Sequence, residues 1–191
     1  QGYNGYINKQ AGIKSEKIYK QIQETMLKVD NKDVESKTLD IDGNKYIGII
    51  SIPTLGLELP IMNDWDNEKM KYAPCRYYGS LETNDLILCS HSYDNLLGNI
   101  KDLKQKDIVV ITSISGKKYI YEVEVIEVLQ PDDVVEMIEN EFALCCSYWV
   151  SGNHRKRKTN EWSLSTHSCS KYYDDVLGSA GIYRGFCRNT K

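Results

Sequence analysis

From Ser15 to Val29, in SEKIYKQIQETMLKV, the apolar residues Ile18, Ile22, Met26 and Val29 recur every three or four positions. That period predicts an amphipathic helix. The next stretch, DNKDVESKTLDIDGNK, is polar and charged and reads as a linker, so the helix is expected to be an appendage docked on the rest of the chain. From Tyr46 the pattern changes. YIGIISIPTLGLELPIM is rich in β-branched residues and predicts two short strands with Pro53 at a bend or edge. DLILCS predicts a buried strand. DIVVITSISGKKYIYEVEVIEVL predicts two strands joined at Ser115 and Gly116, and YIYEVEVIEV alternates so that one face is apolar. QPDDVVEMIENEF predicts a short helix, with Pro131 near its start and carboxylates in its first turn. EWSLSTHSCS reads as a strand ending in a turn, KYYDDVLGSAG as a loop, and IYRGFCRN as a last short strand. Several short strands with tight turns define a mainly β chain, a barrel or sandwich with short helices. The expected division is an N-terminal helical appendage and linker over residues 1–40 and a β domain over 41–191.

Composition narrows the function classes. The chain has 191 residues, enough for one domain with a sizeable core. Hydrophobic residues make up 41% and charged residues 27%, which fits a soluble globular protein. A net charge of −3 gives no argument for nucleic acid. The basic cluster His154-Arg155-Lys156-Arg157-Lys158 reads first as a solvated loop and second as a contact for an anionic polymer. No apolar run approaches the ~18 residues of a membrane span, and no signal peptide is visible. The chain opens on Gln1 rather than Met, which reads as a processed or trimmed form compatible with a removed N-terminal anchor. The six cysteines, Cys75, Cys89, Cys145, Cys146, Cys169 and Cys187, contain no C-x-x-C pair, which argues against a zinc knuckle. One or two disulfides stay open if the chain is exported. Cys75, Cys89 and Cys187 are read as small buried residues.

The candidate chemistry starts at His91, which closes the apolar run Leu86-Ile87-Leu88-Cys89-Ser90. A histidine at the lip of a buried strand is a packed core residue, a metal ligand or an acid–base group. A thiol nucleophile needs such a partner and a donor for the developing oxyanion, gathered at one site but not adjacent in sequence. The chain offers His91 after one strand, Cys169 after another and Arg184 on a third. His167 lies two residues from Cys169, and strand alternation would put both on one face. The simplest reading of His167 is a partly exposed strand-end residue, with a local base or metal pair as the alternative.

The segments YIGIISIPTLGLELPIM, KYAPCRYYGS, NDLILCSHSYDNLLGNIKDLKQKDIVVI and YEVEVIEVLQP together resemble a sortase, a cysteine transpeptidase of Gram-positive cell surfaces. The resemblance covers residues 46–137, with His91, Gly98 and Leu103 in the family's order. It implies a closed sortase-type β-barrel, and the N-terminal helix is similar to the appendage of class B sortases. It further implies His91 as the catalytic histidine, Cys169 as the nucleophile and Arg184 as the catalytic arginine, with Arg188 second. The family's Thr-Leu-x-Thr-Cys strand end is matched imperfectly by SLSTHSC, residues 163–169: Ser168 replaces the threonine, or His167 and Ser168 intrude before the cysteine. EFALCCSY makes Cys146 a rival nucleophile, with Arg155 or Arg157 as the rival arginine. The implied reaction needs no metal and no organic cofactor. Its implied partners are a sorting-signal peptide, cleaved after Thr, and an amine acceptor from a cell-wall precursor or pilin. The implied place is the extracellular face of the cell membrane, reached through an N-terminal anchor. A barrel diverged into a catalytically impaired peptide-binding module is the alternative, and oxidation at Cys89 is a minor route to inhibition.

Overall fold

The alternating segments form a sheet that curls on itself. The computed structural model of the chain describes residues 2–28, 38–129, 142, 144–149 and 182–189. The elements are helix α1 (Gly2–Lys28) and strands β1 (Leu39–Ile41), β2 (Asn44–Ile52), β3 (Leu57–Met62), β4 (Cys75–Tyr78), β5 (Leu86–His91), β6 (Ile108–Ser113), β7 (Lys118–Leu129), β8 (Leu144–Trp149) and β9 (Ile182–Asn189). The sheet order is β1-β2-β3-β4-β5-β8-β9-β7-β6, and a further β2–β6 pairing links its two sides. The fold is mainly β and barrel-like, with few helices, as the pattern predicts. Pro53 stands in a one-turn 3₁₀ segment between β2 and β3, at the expected bend. The β6–β7 turn is built around Gly116, whose φ of 80° suits glycine. The hydrophobic pattern does not predict β4. It is short, and Pro74 and Gly79 flank it.

Alternation divides the apolar side chains into two clusters. Inside the curl, Ile50, Ile61, Leu86, Leu88, Leu97, Ile100, Ile111, Tyr121 and Leu144 are fully buried together. Each such aliphatic side chain contributes roughly 1.5–3 kcal/mol by leaving water. On the other face, α1 seals a second cluster: Ile18 and Ile22 pack with Tyr46, Ile49, Met62, Cys75, Ile87 and Cys89. The docking of Ile18 and Ile22 matches the helical pattern. The helix itself begins at Gly2, well before the expected Ser15. Before Ser15, Gly12 lies against Asn95 and the Lys14 ammonium sits 3.8 Å from the centre of the Tyr72 ring. The helix expected at Pro131, the strand expected at 161–170, the loop after it and the 154–158 basic cluster lie outside the described residues.

Candidate active site

His91 is the last residue of β5. Leu86, Leu88 and Ser90 point into the barrel, so Ile87, Cys89 and His91 share the opposite face. Buried Ser90 ties the strand end to the succeeding turn: its Oγ donates to the His91 carbonyl at 2.9 Å and accepts from Leu97 N–H at 3.3 Å. The chain there reverses tightly. Tyr93 carbonyl oxygen accepts from Leu96 N–H at 2.9 Å and from Gly98 N–H at 3.1 Å. A methyl at Gly98 would stand 2.6 Å from the Ser92 oxygen and 2.7 Å from the Tyr93 oxygen, so the turn has room only for glycine. Leu97, Ile100 and Leu103 anchor it in the core. The Gly98 and spaced leucines that carried the resemblance thus build the turn behind the histidine.

The half-buried imidazole of His91 stacks on the Tyr93 ring, with centroids 4.1 Å apart and planes inclined 27°. His91 Nδ1 is buried and has no hydrogen-bond partner among the described residues. Burial, and after it the Lys71 cation, lowers the pKa of His91 below its ordinary value. An imidazolium would carry a second N–H on a nitrogen that has no acceptor among the described residues, which adds to the effect of burial in favouring the neutral ring. Lys71 is held by Glu68, with Nζ donating to both carboxylate oxygens at 2.7 and 2.9 Å. Sequence reasoning missed Tyr93, Ser90 and Lys71. Tyr93 had one available signal, an aromatic two residues after the histidine; Lys71 had none, because only folding brings that turn beside β5.

Backbone register extends the site across the sheet. β8 runs parallel to β5, pairing Cys89 with Ser147 and His91 with Trp149. β9 runs antiparallel to β8, pairing Ser147 with Arg184 and Cys146 with Gly185. Position 184 therefore falls on the same face as His91, two strands over and one pleat back. With strands ~4.8 Å apart and ~3.3 Å per residue, their backbones are roughly 12 Å apart, a span that admits an extended peptide. Position 188, paired with Glu122, lies about 13 Å farther along β9, away from the His91 end.

Cys146 stands differently. It pairs with Leu88, is buried, and belongs to the interior cluster with Leu86, Leu144 and Cys187. It faces away from His91, which removes the geometry a rival nucleophile needs. Cys75, Cys89 and Cys187 are buried, as expected, and burial pushes the Cys75 and Cys187 thiols up to about 12. Cys169, His167, Arg155 and Arg157 lie outside the described residues. Among the described residues no group of three or more His, Cys, Asp or Glu is placed to hold a metal ion, and no helix is long and apolar enough to cross a membrane.

With this arrangement in place, comparison with known proteins gives the class. The sortase domain family matches residues 50–177, most of the chain, and the chain belongs to that family of transpeptidases. Its structure is similar to sortase C from Streptococcus pneumoniae, at 13% identity and a TM-score of 0.58, covering 92% of this chain and 99% of that one. It is similar to the Clostridium perfringens sortase D5 transpeptidase, at 13% identity and a TM-score of 0.51, covering 97% and 99% of the two chains. It is also similar to sortase A from Corynebacterium diphtheriae, at 19% identity and a TM-score of 0.50; the match covers 78% of this chain and only 63% of that protein. At these identities the likeness establishes the fold. No curated protein matches the chain.

Proposed function

We propose that the chain is a sortase-type cysteine transpeptidase that cleaves a C-terminal sorting signal after threonine and joins the protein to an amine. The observation that carries this reading is His91 at the open end of β5, on the same sheet face as position 184, in a chain that belongs to the sortase family. The Cys169 thiolate attacks the threonine carbonyl; a neutral thiol is a poor nucleophile, so the active fraction depends on pairing with His91. Arg184 donates to the oxyanion or positions the peptide. Loss of one such donor typically costs about 10²–10³ in rate. As the tetrahedral intermediate collapses, the peptide C–N bond breaks and imidazolium His91 protonates the departing amine. The thioester is then attacked by an amine from a cell-wall precursor or a pilin, His91 takes that proton, and the thiolate leaves. The residues supply the whole reaction without a metal or organic cofactor.

The same reading assigns residues 1–40 to an appendage and linker and 41–191 to the catalytic barrel. The helical appendage is what supports a class B-like subtype. One neighbouring structure, Clostridium perfringens sortase C, was determined with the C-terminal cell wall sorting motif, which supports a peptide of that kind as substrate. The protein then works at the extracellular face of the membrane, on surface proteins or pilins.

Intact-mass analysis after mixing with a pool of sorting-signal peptides tests the proposal. The expected result is an acyl adduct mapped to Cys169 and abolished in Cys169→Ala with the fold intact. No adduct and no cleavage across a broad pool overturns it in favour of a diverged, non-catalytic peptide-binding barrel.

A further inference from the structure

The turn after β5 does more than redirect the chain, because its hydrogen bonds converge on the residue that covers the imidazole. The Tyr93 carbonyl receives two N–H groups, from Leu96 and Gly98, and both Leu96 and Leu97 are fully buried. The half-buried Tyr93 side chain packs against the interior cluster. Its ring is thereby fixed from the backbone side and from the core side. One face of that ring lies on His91 at 4.1 Å with an inclination of 27°, a stacked contact. Among the described residues His91 Nδ1 has no hydrogen-bond partner to give a comparable restraint. Metal-free catalytic histidines are commonly oriented by a hydrogen bond at the nitrogen that does not react. Here that nitrogen is buried without one among the described residues, and the stacked ring instead restrains the plane of the imidazole.

We propose that Tyr93 is a positioning residue that sets the plane of the His91 imidazole by stacking, while the burial of Nδ1 leaves Nε2 to exchange protons with thiol and amine. This rests on the transpeptidase reading for its catalytic consequence, but the stack itself does not. The contact requires an aromatic face rather than a hydroxyl, so Tyr93→Phe keeps it while Tyr93→Leu removes it at similar bulk. A misoriented acid–base group costs about tenfold to a hundredfold in turnover. The loss falls on kcat for peptide cleavage, with KM little changed.

Two measurements separate the stack from its catalytic consequence. The first is the proton NMR signal of the His91 ring, assigned by its disappearance in His91→Asn, in the folded full chain. Stacking on Tyr93 predicts an upfield displacement from an unstacked imidazole that persists in Tyr93→Phe and vanishes in Tyr93→Leu. An unchanged His91 signal in a folded Tyr93→Leu variant overturns the proposal. The second is kcat and KM for sorting-peptide cleavage in the same variants. Loss of kcat in Tyr93→Leu with recovery in Tyr93→Phe supports the positioning role, and equal kcat in all three overturns it. If the wild-type chain cleaves no peptide, the transpeptidase reading fails while the NMR result still decides the stack.

Discussion

Replacing Gly98 by alanine places a methyl group where two backbone carbonyls already stand. The new carbon would lie 2.6 Å from the Ser92 oxygen, 2.7 Å from the Tyr93 oxygen and 2.8 Å from the Ser92 carbonyl carbon. All three contacts are with backbone, so no side chain can swing aside; the turn itself must open. Forced overpacking of this kind costs roughly 1–3 kcal/mol. The alanine also restricts the unfolded chain, which returns about 0.4–1 kcal/mol. The net loss is then about 1–2 kcal/mol, and at ~2–4 °C per kcal/mol for a chain of this size the melting temperature falls by roughly 2–8 °C. Opening the turn stretches the bond from Gly98 N–H to the Tyr93 carbonyl, now 3.1 Å, and so loosens the ring that lies on His91. Gly43→Ala is the control. It has a φ of +75° but nothing within 4 Å of an added methyl, so its cost is backbone strain alone, about 1 kcal/mol, and it lies far from the site in sequence and sheet. Thermal unfolding followed by circular dichroism, with the His91 proton signal as the local probe, distinguishes them. Equal melting temperatures for Gly98→Ala and wild type, with an undisturbed His91 signal, would refute the close-approach argument.

The remaining expectations use the same groups. Ser90→Ala strands the buried Leu97 N–H and should destabilise by about 1–3 kcal/mol, read from the urea midpoint. Cys146→Ala should lower the melting temperature, through a small cavity costing about 1–2 kcal/mol, and leave peptide cleavage in place; loss of acyl-adduct formation in the folded variant would contradict its interior position. Because the folded pKa of His91 is depressed, the unfolded chain binds its proton first as pH falls. Stability is therefore complete above the ordinary value of 6.5 and declines from there down through the folded pKa; Lys71→Gln should flatten that decline in urea titrations by removing the cation. Ile22→Ala removes a fully buried anchor of α1 and should cost about 2–5 kcal/mol, with amide exchange in the helix faster than in β5.

What could be read from the sequence depended on the range of the interactions that fix each element. β7 was legible because its alternation is local, and the turn before it because Gly116 marks a φ of 80°. Ile18 and Ile22 showed the docked face of α1, whereas the contacts at Gly12 and Lys14 are ones that no hydrophobic period records. β4 and β8 depend on partners rather than on pattern. β4 exists between β3 and β5, and β8 is paired in parallel with a strand more than fifty residues earlier, a connection that needs a long crossover and leaves no adjacent signal.

That parallel pairing also decides how the candidate site can be read. Residue types alone left Cys146 and two distal arginines in contention, because a thiol, a histidine and a guanidinium can be counted without knowing which face each occupies. In a parallel pair, directly opposed residues share a face, so the partnership of Cys146 with Leu88 assigns it to the interior with Leu86 and Leu144. A shift of one residue would reverse every assignment on the strand, exchanging Cys146 for Cys145 on the inner face. The register is held against such a shift by what the inner face contains: Leu144 is fully buried and Cys146 nearly so, in a cluster closed by Tyr121 and Cys187. A one-residue shift would turn Leu144 and Cys146 out of that cluster and forfeit their burial, a cost of roughly 1.5–3 kcal/mol for the leucine alone. The same register that keeps Cys146 inside puts positions 147 and 184 on the His91 face. A Cys146→Asp variant should therefore unfold the barrel; a variant that stays folded, in far-UV circular dichroism and melting temperature, would mean that the register of β8, and with it the assignment of faces at the site, is wrong.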